Sequence, residues 1–136
     1  MATYNKFQCF VEDLAEKRHN LASDTLKVAF SNAANAPSVS LDGVLADITA
    51  IATTNLDSVT LTVSSSSQTA GIYKLVVVDK LLTATGDVPP FRYAIIYNDT
   101  ATNKELICWF DYSSEVTLHA NDTFTLDFGT ELFSLA

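Results

Sequence analysis

The sequence predicts a mainly β protein, an antiparallel β-sandwich or barrel with one N-terminal α-helix. Three observations predict it. Phe91-Arg92-Tyr93-Ala94-Ile95-Ile96-Tyr97 and Glu105-Leu106-Ile107-Cys108-Trp109-Phe110-Asp111 are rich in aromatic and β-branched residues, and they flank a polar segment, 98–104. That is the pattern of a β-hairpin, with the polar segment outside the core. Short alternating apolar runs then recur along the chain, separated by turn residues, as in sandwiches and barrels. Helical spacing of apolar residues stands out clearly only near the N-terminus.

The elements follow in order. Over residues 4–18, Phe7, Phe10, Val11, Leu14 and Ala15 fall at the i, i+3, i+4, i+7, i+8 spacing of an amphipathic helix. Thr3, or less well Asn5, is its expected N-cap, and acidic Glu12, Asp13 and Glu16 precede basic Lys17 and Arg18, an order that suits the helix dipole. Leu26, Val28 and Phe30 alternate with Lys27 and Ala29, so 26–30 is expected as a strand. The Asn/Ala/Ser-rich stretch 31–40, with Pro37, is expected as a loop. Residues 44–52 fit either a helical turn or a strand.

Val59, Leu61 and Val63 alternate with threonines and predict a strand over 59–63. The four serines 64–67 and Gly71 predict a turn over 64–71, and the apolar run 72–82 predicts one long strand. Pro89 and Pro90 place 83–90 in a loop, because proline cannot donate to a ladder. After the hairpin come strands at 116–118 and 123–128 about an Asn121-Asp122 turn, then alternation over 131–135. Cys108, Phe110 and Tyr112 should share one face of their strand, with Ile107, Trp109 and Asp111 on the other. Both faces are apolar in part, so both should be covered.

At 136 residues, with 48 % hydrophobic content, the chain is expected to form one domain, 1–136, with the helix at 4–18 and the sandwich at 25–136. The net charge of −8 opposes binding to phosphate backbones, so no nucleic-acid partner is expected. The run 72–82 is interrupted by Lys74, Asp79 and Lys80, and no membrane partner is expected. The N-terminus lacks the layout of a signal peptide, which predicts synthesis in the cytoplasm. Cys9 and Cys108 are two thiols without a Cys-x-x-Cys pair, and buried free thiols are expected.

Catalytic constellations are not legible. His19 and His119 have no nucleophile and orienting acid in a recognisable arrangement, and no phosphate-cradling or zinc-protease motif occurs. The two Asn-Asp-Thr tripeptides, at 98–100 and 121–123, supply too few oxygens for Ca²⁺, and turn chemistry explains them. Trp109, Tyr97, Phe110 and Tyr112 could line a sugar-binding face, but core packing is the better account of them. The chain is therefore expected to have no enzymatic activity, cofactor or metal.

The ordered motifs carry a resemblance. Met1-Ala2-Thr3-Tyr4-Asn5-Lys6-Phe7, Phe10-Val11-Glu12-Asp13-Leu14-Ala15, His19-Asn20-Leu21, Ser23-Asp24-Thr25-Leu26-Lys27-Val28, Leu45-Ala46-Asp47-Ile48-Thr49, Pro90-Phe91-Arg92-Tyr93, Tyr97-Asn98-Asp99-Thr100-Ala101-Thr102-Asn103 and Phe124-Thr125-Leu126-Asp127-Phe128 resemble small virion structural proteins of tailed bacteriophages. In particular they resemble the jelly-roll cement or decoration proteins that cover capsids, which implies an antiparallel β-sandwich of jelly-roll type. The resemblance implies a protein on the capsid exterior that binds the major capsid protein and itself, as a homotrimer in preference to a homodimer. The alternative is a tail or fibre module that binds another tail protein or a host glycan. Candidate subunit or capsid contacts are Phe7, Phe10, Val11 and Leu14 on the helix and Phe133 and Leu135 near the C-terminus. Phe133 and Leu135 should face inward from a docked last strand or lie on a neighbour as an arm, because large apolar side chains left in water forfeit burial energy.

Overall fold

The computed structural model describes residues 2–136. The hairpin of 91–97 with 105–111 is the centre of the fold. It extends into β6 (Val88–Asn98) and β7 (Leu106–Leu118), flanked by β1 (Thr3–Lys6) and β2 (Leu26–Ser31) in an antiparallel sheet of order β1-β7-β6-β2. A second sheet joins β3 (Val63–Thr69), β4 (Ile72–Val77) and β9 (Phe133–Leu135) in the order β3-β4-β9. A third pairs β5 (Lys80–Thr83) with β8 (Thr123–Leu126). All of these pairs are antiparallel, and α1 (Cys9–Ala15) is the α-helix among the described residues. The protein is therefore mainly β with one N-terminal helix, as expected.

One face of the four-stranded sheet and the inner faces of the two smaller sheets enclose a single core. Val28, Phe30, Phe91 and Ile96 from the first meet Leu75, Val77 and Phe133 from the second and Leu82 and Leu126 from the third. The opposite face, with Ala29, Tyr93, Ile95, Tyr97 and Trp109, is covered by Phe7 and by Val39, Leu45 and Ile48 of the 31–52 connection. Both faces of the hairpin are thus roofed. Trp109 is core, packed edge-on to Tyr93 at 5.5 Å.

Several expectations are corrected. The helix does not run over 4–18. Thr3-Tyr4-Asn5-Lys6 instead pairs with Asp111-Phe110-Trp109-Cys108, and Tyr4 packs edge-on to Phe110 at 5.6 Å. Pairing with the strongest strand of the molecule overrides the helical periodicity there, so neither Thr3 nor Asn5 is the cap, and Gln8 holds that position. At the other end Lys17 turns to φ 66°; its N–H donates to Leu14 O and that of Arg18 to Asp13 O, the bonds of a Schellman stop.

The serine run is strand, not turn. The tight turn is Ala70-Gly71, both at positive φ, joining Thr69 to Ile72 as in a type I′ hairpin. Gly71 fits that conformation, whereas Ala70, at φ 53°, carries a Cβ penalty. Ala70→Asn is accordingly expected to raise stability by about 0.5–1 kcal/mol, read as a higher urea midpoint at unchanged m-value.

The expected strand 72–82 breaks after Val77, so that β4 and β5 belong to different sheets. Residues 59–61 do not form a strand but bridge the outer edge of β2, through Val28 N–H to Val59 O and Leu61 N–H to Leu26 O. Pro89 and Pro90 lie inside β6, where the register shifts between Val88↔Leu118 and Phe91↔Val116, so a bulge accommodates them. A further shift between Ile96↔Cys108 and Tyr97↔Leu106 inserts Ile107 and turns it into the same core as Cys108, against simple alternation. A third, between Phe91↔Val116 and Tyr93↔Asp111, bends β7 at Ser113, whose φ is 69°.

Candidate functional site

Two neighbourhoods stand out. The first lies where the segment after α1 meets the β6–β7 turn, and Asn98 is its hub. Sequence placed this residue in an exposed turn; it is fully buried. Its Oδ1 accepts the backbone N–H groups of Thr100 (3.0 Å) and Ala101 (3.1 Å), which fixes the amide orientation. Its Nδ2 therefore donates, to Asp24 Oδ2 (2.6 Å) and to His19 Nδ1 (3.0 Å). That assigns the proton of neutral His19 to Nε2, which has no partner in the protein.

Burial lowers the His19 pKa, against the pull of the Glu105 and Asp24 carboxylates. Glu105 is also buried, at 3 % exposure; its Oε1 accepts the Asn103 N–H at 3.3 Å and its Oε2 accepts nothing. Asp13, on α1, is buried too, and its carboxyl is held above the ordinary range by burial, with Arg18 at 3.4 Å pulling the other way. The turn itself is braced by Asp99, which meets Lys104 at 2.7 Å and Lys27 at 3.2 Å; these cations hold the Asp99 carboxyl low.

A polar hollow of about 340 Å³ opens beside this hub, lined by Lys17, Arg18, Asn20, Asp24, Thr100, Ala101, Thr102 and Glu105. His19 itself lines a more apolar hollow, with Leu14, Leu21, Tyr73 and Leu135. Among the described residues no group of three or more His, Cys, Asp or Glu side chains is placed to hold a metal.

The neutral His19 makes stability pH-dependent. Its folded pKa lies below the unfolded value of about 6.5, so the unfolded chain takes up the proton first. The contribution is fully present above about pH 6.5 and declines as pH falls below it. The drop in urea midpoint from pH 7.5 to pH 5.5 is expected to be larger for the native chain than for His19→Gln. Exposed His119, raised by Asp87, is unchanged in that comparison.

The second neighbourhood is the seam between the outer strands β1 and β9. Tyr4 and Lys6 face the segment 129–135 across a groove of about 600 Å³. Next to it, Phe110, Tyr112, Phe124 and Phe128 line a hollow of about 420 Å³ with Asp127. Burial, with Asp127, pushes the Tyr112 phenol up to about 12.

The six candidate contact residues are not brought together on one surface. Phe7 is fully buried on the outer face of the large sheet, and Phe10 is buried in the main core against Phe133 at 5.2 Å. Both are committed to the chain's own packing. Val11 is 56 % exposed and Leu14 half-buried. Phe133 is buried and Leu135 half-buried on β9, docked on β4 with Leu75↔Phe133 and Tyr73↔Leu135. Cys108 is buried and Cys9 partly exposed; both thiols are free, and burial pushes the Cys9 pKa up to about 11.

The Asn98, His19, Asp24 and Glu105 network escaped sequence reading. The available signal was that Asn98 directly continues the aromatic strand, where a polar residue must find buried partners. No protein-family model, no curated protein and no solved structure matches this chain.

Proposed function

We propose that this chain is a capsid decoration protein of a tailed bacteriophage, which binds the outside of the shell through the major capsid protein and stabilises it. The ordered sequence motifs carry the reading. In the structure, the supporting observation is the seam at β1 and β9: two short outer strands flank one groove, with Tyr4 at 37 % exposure and Leu132 and Phe133 buried beneath. Such edges can accept a strand or arm from a neighbour, yet are too short to template open-ended pairing. Exposed Val11, on α1, and Leu41 add apolar contact area on a loop that α1 touches, through Cys9 Sγ to Asp42 O at 3.6 Å.

The net charge of −8 suits a protein outside a DNA-filled shell. The jelly-roll assignment belongs to the same proposal; a core enclosed between a four-stranded sheet and two smaller antiparallel sheets supports it. Self-association by closed cyclic symmetry, as a trimer before a dimer, completes it. No catalytic step and no cofactor enter this reading.

The test is location and copy number in purified virions. Density over the shell, with copies comparable in number to the major capsid protein, is expected. Density confined to the tail, in a few copies, overturns the decoration reading and leaves the tail or fibre module.

A further inference from the structure

We propose that β3 is a dimerisation edge: two copies of the chain pair antiparallel through Ser66 and Gln68 about a two-fold axis at Ser67, which joins their β3-β4-β9 sheets into one of twice the width. The pairing concerns the chain in solution and does not depend on the capsid reading; a three-fold contact on a shell would use other surfaces. The free edge follows from the turn. In a two-residue hairpin the pair flanking the turn exchanges both main-chain hydrogen bonds, and such pairs alternate with non-bonded ones along the ladder. Thr69↔Ile72, Ser67↔Lys74 and Ser65↔Val76 are therefore the bonded pairs. Ser66 and Gln68, between them, turn their N–H and C=O groups away from β4, and β3 is the outermost strand of its sheet.

The other outer strands are short or covered. Residues 59–61 bridge the outer side of β2. β1 has 4 residues and ends in Lys6, β9 has 3, and β5 and β8 have 4 each. β3 has 7 residues with no charge and no proline, and the register shift between Val63 and Ser65 leaves 65–69 regular. Charges, prolines, bulges and covering segments are what keep sheet edges from pairing, and this stretch carries none of them.

The composition of the edge selects a second copy as the partner. Serine and glutamine offer a foreign chain neither a charge nor a large apolar anchor, but each both donates and accepts, so the edge is complementary to itself. Two chains of net charge −8 repel, and along β3 they meet without opposed carboxylates. Lys74, on the neighbouring strand, is already met by Glu131 at 4.0 Å. The register follows from the outward groups. With Ser67 opposite Ser67 on the axis, Ser66 lies opposite Gln68 of the second copy on either side, and each of these pairs exchanges both main-chain hydrogen bonds. Ser67, Gln68 and Thr69 are exposed, so nothing in the chain has to move. Each edge is used up by its equal, and the assembly closes as a dimer.

The experiment is sedimentation equilibrium of the full chain over a dilution series, with a dimer that dissociates on dilution as the expected result. Gln68→Pro removes an N–H that points away from β4, a change an outer strand tolerates. Each copy then loses one bond, and the dissociation constant should rise by about 10–100-fold. Ser67→Lys sets like charges opposite one another on the axis, should have the same effect, and serves if Gln68→Pro does not fold. Oxidation in a Cys9→Ser background reads the register. Ser67 faces its equal in a non-bonded pair, with Cα atoms about 4.5 Å apart, within the span of about 4.4–6.8 Å that a disulfide bridges. Ser67→Cys should therefore cross-link the copies, whereas Ser65→Cys, opposite Thr69 of the second copy, should not. A monomer at every concentration, association unchanged in Gln68→Pro and in Ser67→Lys, or cross-linking as fast from position 65 as from position 67 overturns the proposal.

Discussion

Deleting residues 131–136 is expected to lower the folding free energy by about 4–6 kcal/mol, a large share of the 5–15 kcal/mol typical of a domain. The segment looks like a frayed tail by position alone. In the structure it is the last strand of a sheet. Leu132 and Phe133 are 4 % and 8 % exposed, and the Leu132 N–H donates to Leu75 O at 2.7 Å. Each large side chain returned to water forfeits about 1.5–3 kcal/mol. The loss of Phe133 also uncovers Phe10 and Tyr73, which it contacts at 5.2 and 6.2 Å between ring centroids. Urea unfolding followed by tryptophan fluorescence measures the change. An unchanged midpoint refutes the docking energy assigned here. A protein that melts normally but no longer binds shells shows instead that the segment works as an arm on a neighbour.

Phe91→Ala is expected to cost about 3–5 kcal/mol, the range for truncating a buried aromatic. Phe91 is fully buried and meets Phe30 at 4.6 Å and Phe124 at 5.5 Å. It therefore joins β2, β6 and β8, elements of two sheets, at one point. The bulge at Pro89 and Pro90 holds the strand in place around it, so the cavity cannot collapse by a simple slide of β6. Val11→Ala, at an exposed position, should change stability by no more than about 0.5 kcal/mol. Calorimetry on the two variants tests the contrast, and similar melting temperatures would contradict it.

The fold class was legible because the hairpin at 91–111 carries its own signal: two apolar, β-branched runs and a polar turn between them. The strand at 26–30 and the turn at Asn121-Asp122 were legible for the same local reason. What failed depended on a partner strand rather than on the segment's own pattern. Residues 4–6 lie at the start of a helical stripe that begins at Phe7 and could continue it or pair as a strand, and only β7 decides between them. Ser64 to Ser67 have no strand pattern of their own; the Ala70-Gly71 turn folds them back onto β4, where Ser66 bonds the Tyr73 hydroxyl at 2.7 Å. Pro89 and Pro90 read as a loop because a bulge is invisible without its partner strand. The candidate site was the least legible part. Its hub, Asn98, has the spelling of a turn residue, and its burial follows from two neighbours far away in sequence, His19 and Asp24, together with Glu105 across its own turn.

The closure of the sheets has a consequence for the order of events in folding. Thr3 lies opposite Asp111, and Phe133 lies opposite Leu75, so the first and last strands both depend on distant partners. During synthesis β1 emerges well before β7 and has nothing to pair with until that strand has been made. The β6–β7 hairpin closes locally and is the natural nucleus, while β1 and β9 pay a long loop-closure entropy and should join last. Positions in β6 and β7 should then show high φ-values, and Tyr4 and Phe133 low ones. The same two strands should be the first to open from the native state, on the side of the molecule where the seam between them lies.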